Sequence, residues 1–231
     1  MSISAPSRPA AVLWDFDGTI VDTEPLWLAA ERAVVARHGG VWTEQDATEH
    51  IGWPIAQTCE ALVQALAEQG ITVTESTADL VQQMVDHVTE QLHAGVFTWR
   101  PGARELLLEL HADQVPCALV SMSFRSTLEA VVPQLPEGMF GAIIAGDEVS
   151  RGKPDPEPYL LAAQQLGVDI TDCIVLEDSI PGTRSGLASG AAVVAVENMV
   201  SLAPGGRSVV LPSLAGIGAG ELFELAPLEA L

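Results

Sequence analysis

The chain has 231 residues, 48% of them hydrophobic, and sets 10 Lys+Arg against 31 Asp+Glu for a formal net charge of −21. That apolar content excludes disorder as the main state, and the length allows one large domain or a medium domain with a smaller insert. So acidic a balance argues against nucleic acid or an anionic membrane as partner, and an anionic substrate would need a local cation to reverse the field.

Residues 1–9 read as a loose leader, since MSISAPSRPA lacks the long apolar run of a secretory signal. The first strand-like run is AVLW (11–14), unbroken in the way of a strand buried on both faces. After the DGT turn at 17–19 the pattern turns helical, in EPLWLAAERAVVARHG (24–39), PIAQTCEALVQALAEQG (54–70) and STADLVQQMVDHVTEQL (76–92). The last of these opens on Ser/Thr capping signals. This long gap holds no good strand candidate and is too long for one crossover, which predicts a helical insert. Beyond Trp99–Pro101, helical stretches alternate with the apolar runs PCALVS (116–121), GAIIA (141–145), CIVL (173–176) and AAVVAV (191–196). The Gly/Pro-rich tail adds one more strand-like piece, SVVLP. The alternation predicts an α/β fold: a Rossmann-like parallel sheet core from 1–19 and 97–231, with an inserted α-helical cap over 20–96. No apolar run approaches the ~18 residues of a membrane helix. Cys59, Cys117 and Cys173 are odd in number, scattered and without a CxxC. They predict buried thiols and a cytoplasmic location rather than a disulfide framework or a zinc site.

Ligands of an open parallel sheet bind beyond the carboxyl ends of its strands. There this sequence places Asp15-Phe16-Asp17-Gly18-Thr19, Ser121-Met122-Ser123, the loop to Gly152-Lys153-Pro154-Asp155, and Glu177-Asp178-Ser179. One crevice would collect the carboxylates of Asp15, Asp17, Glu177 and Asp178, the hydroxyls of Ser121 and Ser123, and the ammonium of Lys153. Crowded carboxylates raise each other's pKa, and a hard oxygen-seeking cation such as Mg²⁺ relieves them while attracting phosphate. Asp15 and Asp17, two apart on an extended segment, face the same side, so one can act as nucleophile and the other as acid/base. Lys153 is the sole lysine of a chain that otherwise uses arginine, and it sits in a loop after a strand.

These residues resemble the haloacid dehalogenase superfamily of phosphotransferases. The resemblance rests on four motifs in order: DFDGT (15–19), Ser121, GKPDPEPY (152–159) and LEDS (176–179). The helical insert and DTEPLW (22–27) resemble the C1-capped, β-phosphoglucomutase-like branch. The resemblance implies that Asp15 attacks phosphorus to form an aspartyl-phosphate. Asp17 would protonate the leaving oxygen and then activate water. Mg²⁺ would be held by the Asp15 and Asp178 carboxylates and the Asp17 carbonyl. Ser121 and Lys153 would bind phosphate, Glu177 would support the metal or Lys153, and Thr19 would fix the turn. Dehalogenases of the family lack the second aspartate, which is present here as Asp17. Phosphonate-cleaving members use a cap lysine, and no lysine precedes Lys153. Mutases carry a linker histidine where Trp27 stands, which favours water as acceptor, although His50 lies nearby. Met122 is bulkier than the small or amide residue expected after Ser121.

Trp27, His50, Gly52 and Trp53 are candidates to line a substrate pocket, or else pack within the insert. Arg125 either binds phosphate or pairs with a local carboxylate, and Tyr159 reads as a packing residue. The expected protein is a Mg²⁺-dependent phosphatase of a small sugar or polyol phosphate, a monomer or weak homo-oligomer with no nucleic-acid or membrane partner. A phosphosugar mutase and a non-catalytic phosphometabolite binder are the rival readings.

Overall fold

Each unbroken apolar run becomes a strand of one sheet. The computed structural model describes residues 8–50 and 53–228. Along the chain, β1 (Ala11–Trp14) and β2 (Val21–Asp22) precede four helices, α1 (Glu24–Arg37), α2 (Glu44–Glu49), α3 (Ile55–Glu68) and α4 (Thr77–His93). There follow β3 (Thr98–Trp99), α5 (Ala103–Ala112), β4 (Cys117–Val120), α6 (Arg125–Glu129), β5 (Ala142–Ile144) and α7 (Glu157–Leu166). The chain then forms β6 (Cys173–Glu177), α8 (Ile180–Ser189), β7 (Ala192–Val196), β8 (Ser208–Leu211) and α9 (Ala219–Leu225). It divides into two compact units, one of residues up to Asp22 and from Thr98 onward, the other of Thr23–Phe97.

The first unit is an α/β Rossmann-like core. Its sheet has the order β5-β4-β1-β6-β7-β8, with every pairing parallel. β1, β4, β6 and β7 are buried throughout, while β8 at the edge is half-buried. The order reverses at β1, flanked by β4 and β6, so the crevice beyond the carboxyl end of β1 is the switch point where such sheets bind ligands. On one face Leu13, Val120, Val175 and Val193 pack with Tyr159 and Ala162 of α7. Burying each large aliphatic side chain stabilises the fold by about 1.5–3 kcal/mol.

The second unit is the inserted helical domain. α1 and α3 pack on α4, burying Leu26, Val34 and Val35 against Leu62, Leu66, Met84 and Val88. Ser76 caps α4: its hydroxyl accepts the Asp79 N–H while the Asp79 carboxylate accepts the Ser76 N–H. Thr43 and Asp46 make the same reciprocal pair at α2, a helix too short to show its period in the sequence.

Three details differ from the sequence expectations. The stretch thought to lack any strand contains β2, which pairs antiparallel with β3, Val21 opposite Trp99 and Asp22 opposite Thr98. The two segments that flank Thr23–Phe97 in the sequence thus pair as a short ribbon within the first unit. The helical stretch between PCALVS and GAIIA is broken: α6 stops at Glu129 and a 3₁₀ turn follows at Val132–Gln134, because Pro133 has no N–H to continue the ladder. Of the expected leader, residues 1–7 lie outside the described residues. Arg8 already donates to the Asp113 carbonyl, and Pro9 is buried.

Candidate active site

Four strand ends deliver the polar residues. Asp15 follows β1 directly, Ser121 follows β4, Glu177 ends β6 with Asp178 next, and Lys153 comes from the loop after β5. Gly18, at φ +88°, turns the chain after Asp17. A Cβ there would collide with the Asp178 carboxylate, so glycine also permits the close approach of the two segments.

Lys153 and three of the acceptors from these strands meet at one point. Its Nζ donates to Asp15 Oδ1 at 2.6 Å, to Glu177 Oε1 at 2.6 Å and to the Val120 carbonyl at 2.9 Å. An ammonium has three protons, and all three are used. Glu177, wholly buried, is equally occupied. Its Oε1 also accepts from the Tyr159 hydroxyl at 2.9 Å, and its Oε2 accepts from the Asp178 N–H, the Ser179 N–H and the Ser179 hydroxyl at 3.0–3.1 Å. Asp178 Oδ2 accepts from the Asn198 amide at 2.9 Å, and Thr19 Oγ1 lies 3.5 Å from Asp178 Oδ1, at the outer limit of a hydrogen bond. Asp17 Oδ2 accepts from the hydroxyls of Ser121 at 3.0 Å and Ser123 at 2.6 Å, and the Ser123 N–H donates to Ser121 Oγ.

The electrostatics follow from the count of charges: four carboxylates crowd one ammonium. Burial, and then the charge of Glu177, push Asp15 well above the usual carboxylate range against the opposing pull of Lys153. The same two causes raise Asp178 to about 6, with the Asn198 amide opposing. Burial alone would depress Lys153, but Asp15 and Glu177 outweigh it and hold the ammonium firmly protonated. The site as a whole is short of positive charge.

A hard divalent cation fits that deficit. Ligand atoms of Asp15, Glu177 and Asp178 lie within 4.8 Å of one another. Glu177 already has five donors, which leaves the Asp15 and Asp178 carboxylates as the side chains suited to such an ion.

Residues to which the sequence assigns no role in the chemistry also reach this site. Ser123 binds Asp17, Asn198 binds Asp178 from just past β7, and Tyr159 binds Glu177 rather than merely packing. Gly182 of α8 lies so close that a Cβ would overlap the Glu177 carboxylate. Met122, 37% exposed, accepts the Lys153 N–H at its sulfur, 3.3 Å away, and so braces the loop that carries the lysine. Arg125 resolves as a local partner: its guanidinium binds Glu148 and the Ile143 carbonyl.

The remaining candidates belong to the helical unit. His50 stacks between Trp42, with centroids 5.3 Å apart, and Trp53, at 4.6 Å, edge to face. Beneath them the Trp42 indole donates to the buried Glu31 at 2.8 Å. Trp27 is half-buried on α1 and, among the described residues, takes no part in this ring cluster. Gly52 lies outside the described residues.

Comparison with known proteins agrees with this fold. Residues 12–196 match the haloacid dehalogenase-like hydrolase family. The chain is 31% identical over 205 residues to a bifunctional riboflavin kinase/FMN phosphatase of Arabidopsis thaliana, covering 86% of this chain and 51% of that one. It therefore spans about half the length of that plant protein. It is 30% identical over 181 residues to a phosphorylated carbohydrates phosphatase of Thermotoga maritima, covering 78% of this chain and 81% of that one. The crystal structure of CbbY from Rhodobacter sphaeroides in complex with phosphate superposes with a TM-score of 0.77 at 25% identity, covering 92% of this chain and 98% of that one. With a match that runs across the sheet from β1 to the end of β7, this chain belongs to the haloacid dehalogenase-like hydrolase family.

Proposed function

We propose that this hydrolase is a Mg²⁺-dependent phosphatase of a small phosphorylated metabolite, a sugar or polyol phosphate, working through an aspartyl-phosphate on Asp15. The observation that carries the reading is the Lys153 ammonium, held 2.6 Å from Asp15 on one side and from Glu177 on the other. A buried cation beside a carboxylate nucleophile suits charge that develops on phosphoryl oxygens. The names of the phosphatase relatives support the same substrate class.

In this mechanism an Asp15 oxygen attacks phosphorus, and the bond to the substrate oxygen breaks with its electron pair on the leaving group. Asp17 gives that oxygen a proton. It then takes one from the water that attacks the acyl phosphate, and the Asp15 carboxylate is restored as inorganic phosphate departs. Asp17 is steered by the Ser121 and Ser123 hydroxyls, and Ser121 also serves the phosphate. Asp15 and Asp178, with the Asp17 carbonyl, would hold Mg²⁺, which supplies charge neutralisation when bound. Thr19 and Asn198 orient Asp178, and Glu177 orients Lys153. Trp27, His50 and Trp53 are the proposed discriminating residues of the helical unit. Half of the Trp53 surface is exposed beside His50, an apolar face with a polar edge that suits a sugar. Three free, buried cysteines and the lack, among the described residues, of a helix long and apolar enough to cross a membrane support a cytoplasmic setting.

The test is a phosphate-release screen of the purified protein with Mg²⁺ over sugar and polyol phosphates, beside an isomer assay supplemented with a sugar bisphosphate. Stoichiometric phosphate release that Asp15→Asn abolishes is the expected result. Isomer formation without net release would establish the mutase instead, and ligand-dependent thermal shifts with neither product would establish a binder.

A further inference from the structure

Tyr159 lies in the first turn of α7, and none of its surface reaches solvent. A buried phenol needs a hydrogen-bond partner, and any nearby backbone carbonyl would satisfy it. Here the partner is Oε1 of Glu177, the same oxygen that holds Lys153. The ring of Tyr159 meanwhile faces the ammonium, with Nζ 5.0 Å from its centroid. One side chain thus touches both ends of the ion pair.

The two oxygens of Glu177 have different tasks. Oε2 is tied to the start of α8 by two backbone N–H groups and the Ser179 hydroxyl, which fixes the carboxylate in place. Oε1 faces two donors, one a cation and one neutral. An oxygen shared by two donors holds each less strongly than it would hold either alone. The phenol therefore loosens the grip of Glu177 on the ammonium. The charge that Glu177 does not neutralise is available to the other acceptor of Lys153 that takes part in the chemistry, Asp15.

We infer that Tyr159 is a positioning residue: by sharing Oε1 of Glu177, its hydroxyl sets how much of the Lys153 charge is directed at Asp15 and the transferring phosphoryl group. The inference rests on the phosphatase reading of Asp15 and Lys153. It distinguishes the hydroxyl from the ring. A residue there for packing alone would be replaced by phenylalanine without consequence.

Tyr159→Phe keeps the ring, its volume and its face toward the ammonium, and removes one oxygen. The charge on the phosphoryl oxygens grows in the transition state, so the loss falls on kcat rather than on ground-state binding. The expected result is a kcat about 10-fold lower with KM within about twofold of wild type, the size of one hydrogen bond to a charged group. In a Glu177→Gln background the same substitution should have little further effect, because the hydroxyl acts through that carboxylate. A second readout needs no turnover. Calorimetry with Mg²⁺ should find orthovanadate, which mimics the five-coordinate phosphoryl group, bound about 10-fold more weakly by Tyr159→Phe and inorganic phosphate nearly as well as by wild type. Wild-type kcat together with wild-type vanadate affinity would overturn the inference. So would equal losses of vanadate and phosphate affinity, or an undiminished effect in the Glu177→Gln background. If the unaltered protein hydrolyses no phosphomonoester, the phosphatase reading falls, while the two oxyanions still decide the role of Tyr159.

Discussion

Ser123 donates its hydroxyl to Oδ2 of Asp17 at 2.6 Å, a shorter contact than the 3.0 Å made by Ser121, the serine of the family motif. The same Ser123 also gives its N–H to Ser121 Oγ, so the two serines and the carboxylate form a closed triangle. An acid/base must be aimed as well as present, and in the proposed mechanism this triangle aims Asp17. Ser123→Ala should therefore lower kcat by about 10-fold or more while leaving phosphate affinity largely intact, because the loss falls on proton transfer. Steady-state kinetics alongside phosphate binding checks this. A variant that loses affinity and keeps kcat would mean that Ser123 serves the phosphate instead.

Lys153 is the buried cation between two carboxylates, and its removal has two separable effects. Asp15 and Glu177 lose their common partner. Breaking a buried pair from one side destabilises by about 3–5 kcal/mol. The reaction also loses the ammonium, with a fall in kcat/KM of about 10²–10³-fold, as for other preorganised oxyanion donors. Lys153→Ala should thus melt lower and turn over far more slowly. Denaturant unfolding together with kinetics would count against the site if the variant matched wild type in either.

The strands and the site motifs were readable from the sequence for one physical reason. A strand buried on both faces reads as an unbroken apolar run, so AVLW, CALV and CIVL stand out, and the first polar residue after each, Asp15, Ser121 and Glu177, falls at the carboxyl edge of the sheet. What could not be read was contact between elements. Tyr159 looks like a core aromatic until β6 brings Glu177 to its hydroxyl, and nothing local joins Asn198 to Asp178. The ribbon of β2 and β3 has two residues in each strand, too few to have a period. The six-residue α2 is too short to show a helical period, although its Thr43–Asp46 capping pair is legible in the sequence.

Gly182 illustrates a contact of this kind with a measurable consequence. It stands in the first turn of α8, where its N–H meets the Ser179 hydroxyl and its missing side chain leaves room for the Glu177 carboxylate. A methyl group there must displace Glu177 or the helix start, and overpacking of this kind costs about 1–3 kcal/mol. Because Lys153 is tied to Glu177, activity should fall too. Gly220→Ala is the control, since a Cβ at Gly220 meets nothing within 4 Å. Equal melting temperatures for Gly182→Ala and Gly220→Ala would refute the close approach of α8 to Glu177.

Metal and pH should act on the same acidic cluster with opposite sign. Burial and the neighbouring Glu177 raise Asp178 from 3.8 to about 6 and raise Asp15 in the same direction. A carboxyl group with a raised folded-state pKa stabilises the protein fully at pH values below its ordinary pKa. It loses that contribution as pH climbs through the raised value. In chelator, the contribution of Asp178 should therefore be lost progressively between about pH 4 and 6.5. A divalent cation held there, as proposed, would take the place of the departing protons, so its benefit should be smallest in acid and grow as the cluster ionises. The shift in melting temperature between Mg²⁺ and chelator should be small at pH 5 and clearly larger at pH 7. It should shrink at pH 7 in Asp178→Asn, which removes one charge from the cluster. Thermal unfolding at both values, with and without the ion, measures each term. A shift of the same size at pH 5 and pH 7 would mean that the ion binds somewhere other than between Asp15 and Asp178.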